Sequence, residues 1–169
     1  IDNKVIRKSA TSSMVLLQKS AYAFTNNNQL KCASCHNNTL TAMATEIARQ
    51  KDIPVIDSLS ASNITSMKYT LALACNPNKI KEFLTANFVI PYILLGLSAE
   101  KYPADIYTDI AVDYIMSQAK PDGSFLTETF RVPLESGDIH LTAMAIRSIQ
   151  LYASVAKKQR VNELVTKTR

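Results

Sequence analysis

The sequence predicts an all-α protein, on three observations. Apolar residues recur at helical spacing along nearly the whole chain. Only three glycines and no tryptophan occur in 169 residues, which argues against a turn-rich β protein. Polar or proline-containing breaks separate the periodic segments. With 47% hydrophobic residues the chain is long enough to bury a core, and we expect a single domain over residues 1–169.

The first half of the chain predicts three helices. The first runs over residues 4–24 and is ended by the polar tract 25–29. The second covers 39–51 and is broken at 52–54 by an aspartate and a proline. The third is expected to begin near Ser60 or Ser62, both suitable N-caps, and to reach about residue 75, where Asn-Pro-Asn makes a turn.

The second half predicts three more helices and the beginning of another. The fourth covers 79–100 and should bend at Pro91. Pro103 and Asp105 open the fifth, which ends near residue 119 before a Pro-Asp-Gly turn. A loop reaches Asp138, which is expected to cap a sixth helix over 139–158. A seventh helix starts near Arg160.

An internal repeat organises these helices. The sequence Leu-Thr-Ala-Met-Ala at 40–44 recurs at 141–145, an offset of 101, and Gln18 aligns with Gln118 at an offset of 100. Residues 85–97 look like a third, degenerate copy. The repeat predicts about three antiparallel helical hairpins of ~50 residues, each an outer helix followed by an inner helix.

The run Cys32-Ala33-Ser34-Cys35-His36 reads C-x-x-C-H, the attachment signature of a c-type haem. Two thiols at this spacing reach the two vinyl groups of one porphyrin, and the adjacent histidine ligates the iron. We therefore expect one covalent haem c, bound through Cys32 and Cys35 with His36 as proximal ligand, in the loop between the first two helices.

Other interpretations of the motif remain open. A structural zinc site needs four ligands, and only Cys75 and His140 could complete the set. A thioredoxin-like dithiol would require a βαβ pattern, which the sequence lacks. A chance match of a short motif is the last alternative. Cys75 itself is expected to be buried and inert.

The distal iron ligand is predicted from the repeat. At the offset of 101, His140 aligns with Thr39, so the two histidines should precede equivalent inner helices at one end of the fold. His140 is therefore the candidate distal ligand, with Met144, one turn beyond, as the fallback. His140 could instead be a helix-start residue hydrogen-bonded to its neighbours. Arg131 and Asp138 are further candidates for contact with a haem propionate.

Charge and length limit the partners and the location. The net charge is +5, and basic residues crowd the end of the chain: Lys157, Lys158, Arg160, Lys167 and Arg169. They predict either a docking surface for an acidic redox partner or a solvated helix face. No nucleic-acid recognition motif and no apolar run of membrane-spanning length occurs. A first residue Ile1 and a haem-attachment motif favour an exported, periplasmic or extracellular protein without its signal peptide.

A family resemblance adds an architecture. Gln118-Ala119-Lys120-Pro121-Asp122-Gly123-Ser124-Phe125 resembles the QW motif of the squalene–hopene cyclase and prenyltransferase superfamily, with phenylalanine in place of tryptophan. Residues 131–152 resemble the inner helix that follows it. The resemblance implies an α/α toroid, here partial because three hairpins make about half of one. The C-x-x-C-H resembles insertions in bacterial squalene-cyclase-like proteins of unknown role.

These features together predict a monohaem c-type cytochrome that transfers single electrons. The DxDD motif that supplies the acid in squalene–hopene cyclases is missing, and no catalytic triad or phosphate loop occurs, so enzyme activity is not the first expectation. The alternatives are a non-catalytic squalene-cyclase-like binding or assembly module with a structural Cys/His site, and a haem enzyme or sensor with an open sixth coordination site. Half a toroid would expose apolar inner-helix surface, which predicts another subunit or a homo-oligomer.

Overall fold

The computed structural model describes residues 2–29, 31–74, 76, 86–127 and 137–168. Within these ranges the chain is helical and contains no β-strand, which confirms the all-α class. The helices are α1 (Asn3–Asn27), α2 (Leu40–Gln50), α3 (Asp57–Ala74), α4 (Ala86–Ala99), α5 (Ile106–Ser117), α6 (Asp138–Tyr152) and α7 (Lys158–Lys167). None of the helices in this described part is long and apolar enough to cross a membrane.

The chain divides into two compact units, the first formed by Ile1–Thr70 with Gly96–Tyr102 and the second by Leu71–Leu95 with Pro103–Arg169. In the first unit, the interior contains fully buried Ala42 and Met67. Gly96 allows close packing here, because a Cβ at this position would lie 2.8 Å from Met67 Sδ and 3.2 Å from Thr39 Cα. The end of α4 is thereby brought against the beginning of α2.

The core of the second unit consists of aliphatic side chains from α4, α5 and α6, including Ile93, Val112 and Ile149. Pro91 lies inside α4, as the sequence predicted, and its carbonyl accepts a 2.9 Å hydrogen bond from the Ser148 hydroxyl. The predicted start of α5 is confirmed: Asp105 caps the helix and forms a capping box with Thr108.

Three predicted helix features are wrong. Helix α3 begins at Asp57 and not at Ser60 or Ser62, because the Ser60 hydroxyl lies in the interior and donates to Glu100. Helix α6 ends at Tyr152, and a separate 3₁₀ turn (Val155–Lys157) leads into α7. Asp138 does not cap α6, since its Oδ1 accepts a 2.8 Å hydrogen bond from the Thr127 amide.

The two copies of Leu-Thr-Ala-Met-Ala bury different faces. Helix α2 buries Thr41, Ala42, Thr45 and Ala48. At the offset of 101 the corresponding residues of α6 are Thr142, Ala143, Ile146 and Ile149, of which only Ile149 is buried. The repeated sequence therefore does not bury equivalent positions in the two helices. The hairpin repeat, the partial toroid and the single domain stay predictions.

Candidate functional site

The C-x-x-C-H motif lies where an extended segment becomes a helix. Cys32 to Ser34 have no helical structure, and Cys35 begins a single π-helical turn (Cys35–Thr39) that continues into α2. Ser34 caps this turn, its hydroxyl oxygen accepting a 2.9 Å hydrogen bond from the Asn37 amide. The predicted loop therefore contains only the first part of the motif, while Cys35 and His36 lie on the helix start. Isolated π turns are frequent at functional sites.

Side chains from neighbouring helices hold the extended part of the motif. Asn28, which follows α1, accepts from the Cys32 amide at 3.2 Å and donates to the Cys32 carbonyl at 2.9 Å. The Ala33 amide donates to the Thr70 hydroxyl of α3 at 2.6 Å. Because these side chains replace the backbone partners of a helix or sheet, the segment keeps its polar groups bonded while remaining irregular.

A fully buried asparagine holds the helical part. Asn38 accepts from the Ser34 amide at 2.8 Å, and its Nδ2 donates to Thr25 Oγ1 at 3.0 Å and to Asn63 Oδ1 at 2.8 Å. Asn63 in turn donates to the Asn38 carbonyl at 2.9 Å. The network joins the motif to α1 and α3, and such satisfied buried polar networks rigidify what they connect.

Cys35 and His36 present a sulfur and an imidazole side by side. The Cys35 side chain is buried, its Sγ lying 3.4 Å from Nδ1 of the exposed His36. In metal-ligating histidines one ring nitrogen is commonly held by a protein group, which leaves the other nitrogen for the metal.

Cys32 is half-buried, and its side chain hydrogen-bonds the Thr70 hydroxyl. Burial raises the pKa of the Cys32 thiol, and the hydrogen bond with Thr70 offsets only part of this effect. At neutral pH the group is therefore a thiol and a weak nucleophile.

We expect Cys32 of the haem-free protein to be alkylated by iodoacetamide more slowly at pH 8 than the same cysteine in an unstructured peptide, because only the thiolate reacts. The pH–rate profile, followed by mass spectrometry of the Cys32 peptide, should be displaced to higher pH. Thr70→Val should displace it further, and Thr70→Ser should keep the original profile. A profile matching that of the unstructured peptide would contradict the structural explanation.

The candidate distal ligands lie on α6 in the second unit. His140 is exposed, and its Nε2 lies 3.1 Å from the Tyr92 hydroxyl; its ring centroid is 6.3 Å from that of Phe88. This environment is that of a helix-start histidine bonded to a neighbour, the alternative interpretation of the sequence. Met144 is buried in the core of its unit. The distal ligand, His140 or Met144, stays a prediction.

The motif contains the donor types of a c-type haem, and a zinc site stays an open alternative. Across residues 2–29, 31–74, 76, 86–127 and 137–168, no three His, Cys, Asp or Glu side chains gather as a metal site. Covalent haem needs two thiols and one imidazole, which Cys32, Cys35 and His36 supply. Cys75 and Arg131 lie outside the described residues.

The predicted basic surface at the end of the chain is smaller than the sequence indicated. Lys157 is largely buried, with its ammonium 2.7 Å from Asp109 and 2.9 Å from Asp113. These carboxylates raise the pKa of Lys157, against the lowering effect of burial. Since this cation is neutralised within its own unit, only Lys158, Arg160 and Lys167 stay exposed among the described members of the group.

Sequence reasoning did not identify Asn28, Asn38 or Thr70 as part of the site. The one available signal is the density of asparagines on both sides of the motif, at 26–28 and 37–38. Comparison with known proteins adds no assignment: no family model, no curated protein and no solved structure matches this chain.

Proposed function

We propose that this protein is a monohaem c-type cytochrome that transfers single electrons in the periplasm or at the cell surface. The observation that carries the proposal is the His36 imidazole, which is exposed and whose Nδ1 lies 3.4 Å from the Cys35 sulfur. The spacing of Cys32 and Cys35 supports the covalent attachment, and the exported location follows from where such attachment takes place.

Each residue of the motif has a separate task in this proposal. Cys32 and Cys35 would form the thioether links, and His36 would ligate the iron. The haem would supply the one-electron chemistry. Asn28, Asn38 and Thr70 hold the motif backbone in place through their hydrogen bonds.

The scaffold and its partners complete the proposal. The QW-like segment supports a squalene-cyclase-like arrangement of hairpins, without cyclase activity. An acidic redox partner protein, or another subunit, exchanges electrons with the haem, and the positive net charge favours their encounter. A homo-oligomer is the other form in which exposed apolar helix surface would be covered.

The test is a visible spectrum of protein produced together with a cytochrome c maturation system and exported. We expect a reduced α-band that survives acid–acetone extraction, and its loss in the Cys32→Ser, Cys35→Ser double variant. Cys75→Ser is the matched control and should keep the band. His36→Ala should retain covalent haem with an altered Soret position, because only the axial ligand changes. A wild-type protein without a Soret band would overturn the cytochrome assignment.

One observation favours a second candidate, the non-catalytic binding or assembly module with a structural Cys/His site. Cys35 is buried and Cys32 bonds Thr70, so both sulfurs already have positions within the first unit. The same spectrum separates the candidates, because the module has no Soret band. If haem is present, a spectral change with carbon monoxide would identify the open-site enzyme or sensor instead of an electron carrier.

A further inference from the structure

A groove of about 320 Å³ lies within the second unit, between the end of α5 and one face of α7. Its α7 side is formed by residues spaced three, one and three apart, which share a face of that helix. Its other side is the segment 116–121, the end of α5 and the turn that follows. The lining residues are Met116, Ala119, Lys120 and Pro121 on one side and Arg160, Glu163, Leu164 and Lys167 on the other.

The two sides of the groove are joined at Gly123. Two backbone hydrogen bonds close the turn before it, from the Lys120 amide to the Ser124 carbonyl at 2.9 Å and from the Gly123 amide to the Lys120 carbonyl at 2.8 Å. A Cβ at Gly123 would lie 2.8 Å from Thr168 Cγ2 and 3.3 Å from the Leu164 carbonyl oxygen. Since the turn and the end of α7 are in direct contact, the groove is part of the folded unit and does not need a ligand to form it.

The groove has an excess of positive charge. Lys120, Arg160 and Lys167 are exposed, and none of them forms an ion pair with any residue that the structure describes. Glu163 is the carboxylate among the lining residues, and its Oε1 accepts a 3.1 Å hydrogen bond from Gln159 Nε2. Three cations face one carboxylate, so the groove attracts anions.

The rest of the lining is apolar. Met116 is buried, Ala119 and Leu164 are half-buried, and Pro121 is exposed. An inorganic ion would contact the cations alone, whereas an organic anion would also cover this apolar surface and gain about 25 cal/mol per Å² of it. Guanidinium and ammonium groups are the donors that bind carboxylate and phosphate groups in proteins. The lining therefore favours a ligand with an anionic end and an apolar end.

We propose that this groove binds a small organic anion, a carboxylate or a phosphate carried on an apolar body. Lys120, Arg160 and Lys167 hold the anionic group, and Ala119 and Leu164 contact the apolar body. A concave site of this volume suits a small molecule, whereas surfaces that bind proteins are larger and flatter. The groove shares no residue with the haem-attachment motif, so this proposal does not depend on electron transfer.

The test is an NMR titration of the ¹⁵N-labelled full chain with phenyl phosphate. We expect saturable shifts of the amide signals of residues 116–121 and 160–167. Inorganic phosphate should bind at least about threefold more weakly, because it covers no apolar surface. Benzylammonium, which has the same ring and a positive charge, should not shift these signals.

Charge-removing variants locate the site. Lys120→Met and Arg160→Met should each weaken the binding of phenyl phosphate by at least about threefold. Lys158→Met is the matched control, because it removes the same charge from an exposed position of α7 that does not line the groove, and it should change the Kd by less than about twofold. All three positions are exposed, and unchanged thermal midpoints would show that the variants are folded.

Equal weakening by Lys158→Met and Arg160→Met would overturn the proposal, because net charge alone would then explain the binding. Equal affinity for phenyl phosphate and inorganic phosphate would also overturn it. An oligoglutamate peptide that binds the groove more tightly than phenyl phosphate would assign it to an acidic protein segment instead. Co-sedimentation with phosphatidylglycerol vesicles that Arg160→Met abolishes would identify a lipid headgroup as the source of the anion, and its absence would identify a free solute.

Discussion

Asn38→Ala should destabilise the first unit by about 3 kcal/mol, because buried donors and acceptors lose their partners. The change removes three hydrogen bonds, leaving the Ser34 amide and Asn63 Oδ1 without them. In a chain of this size we expect the thermal midpoint to fall by about 6–12 °C. Hydrogen exchange at residues 32–39 should accelerate more than exchange in α5 or α6, since the network holds the motif.

The control for Asn38 is Asn26→Ala, at an exposed position of α1 whose amide bonds the Tyr22 carbonyl. We expect this variant to change stability by less than about 0.5 kcal/mol. Double-mutant analysis of Asn38 with Asn63 should show coupling, because Asn38 Nδ2 donates to Asn63 Oδ1 in the buried network. An Asn38→Ala protein with the same thermal midpoint as the wild type would show that the network does not hold the motif.

Arg49→Met should destabilise the first unit by about 3–5 kcal/mol at neutral pH, because it leaves a buried carboxylate without its counter-charge. The Glu100 side chain is only 2% exposed; its Oε2 accepts from Arg49 Nη1 at 2.6 Å and its Oε1 from the Ser60 hydroxyl at 2.8 Å. The Glu100 hydrogen bond also raises the pKa of Arg49. Among the described residues, Ser60 is the side chain that would still bond this carboxylate in the variant.

The Arg49→Met deficit has a matched rescue, because Glu100→Gln removes the carboxylate charge that the variant leaves without a partner. Adding Glu100→Gln should recover part of the loss at neutral pH. Arg147→Met, on the exposed side of α6, is the control and should be nearly neutral. Urea unfolding at neutral pH measures all four proteins, and a double variant as unstable as Arg49→Met would contradict the explanation.

Several elements of the fold could be predicted because their signals are local. The polar tract after residue 24, the aspartate at 105 and the proline at 103 place helix ends within a few residues of those observed for α1 and α5. The start of α3 could not be predicted in this way. Ser60 is a good N-cap by composition, but its hydroxyl is used by Glu100, forty positions later in the chain.

The candidate site also has one part that could be predicted from the sequence and one part that could not. Cys32, Cys35 and His36 could be selected from spacing alone, because the geometry of a porphyrin dictates that spacing. The residues that hold the motif in place could not be predicted in this way. Asn38 holds the motif by donating hydrogen bonds to Thr25 and Asn63. Its sequence position does not reveal this role, because asparagine is also common in exposed turns.

The sequence by itself determined the all-α class, since helical periodicity is a property of neighbours along the chain. The tertiary structure alone decided which face of each Leu-Thr-Ala-Met-Ala segment is buried and that Lys157 is neutralised by Asp109 and Asp113. It also decided that Val5 and Leu16 of α1 are exposed. Burial and charge pairing depend on residues that are distant in sequence, and only folding brings those residues together.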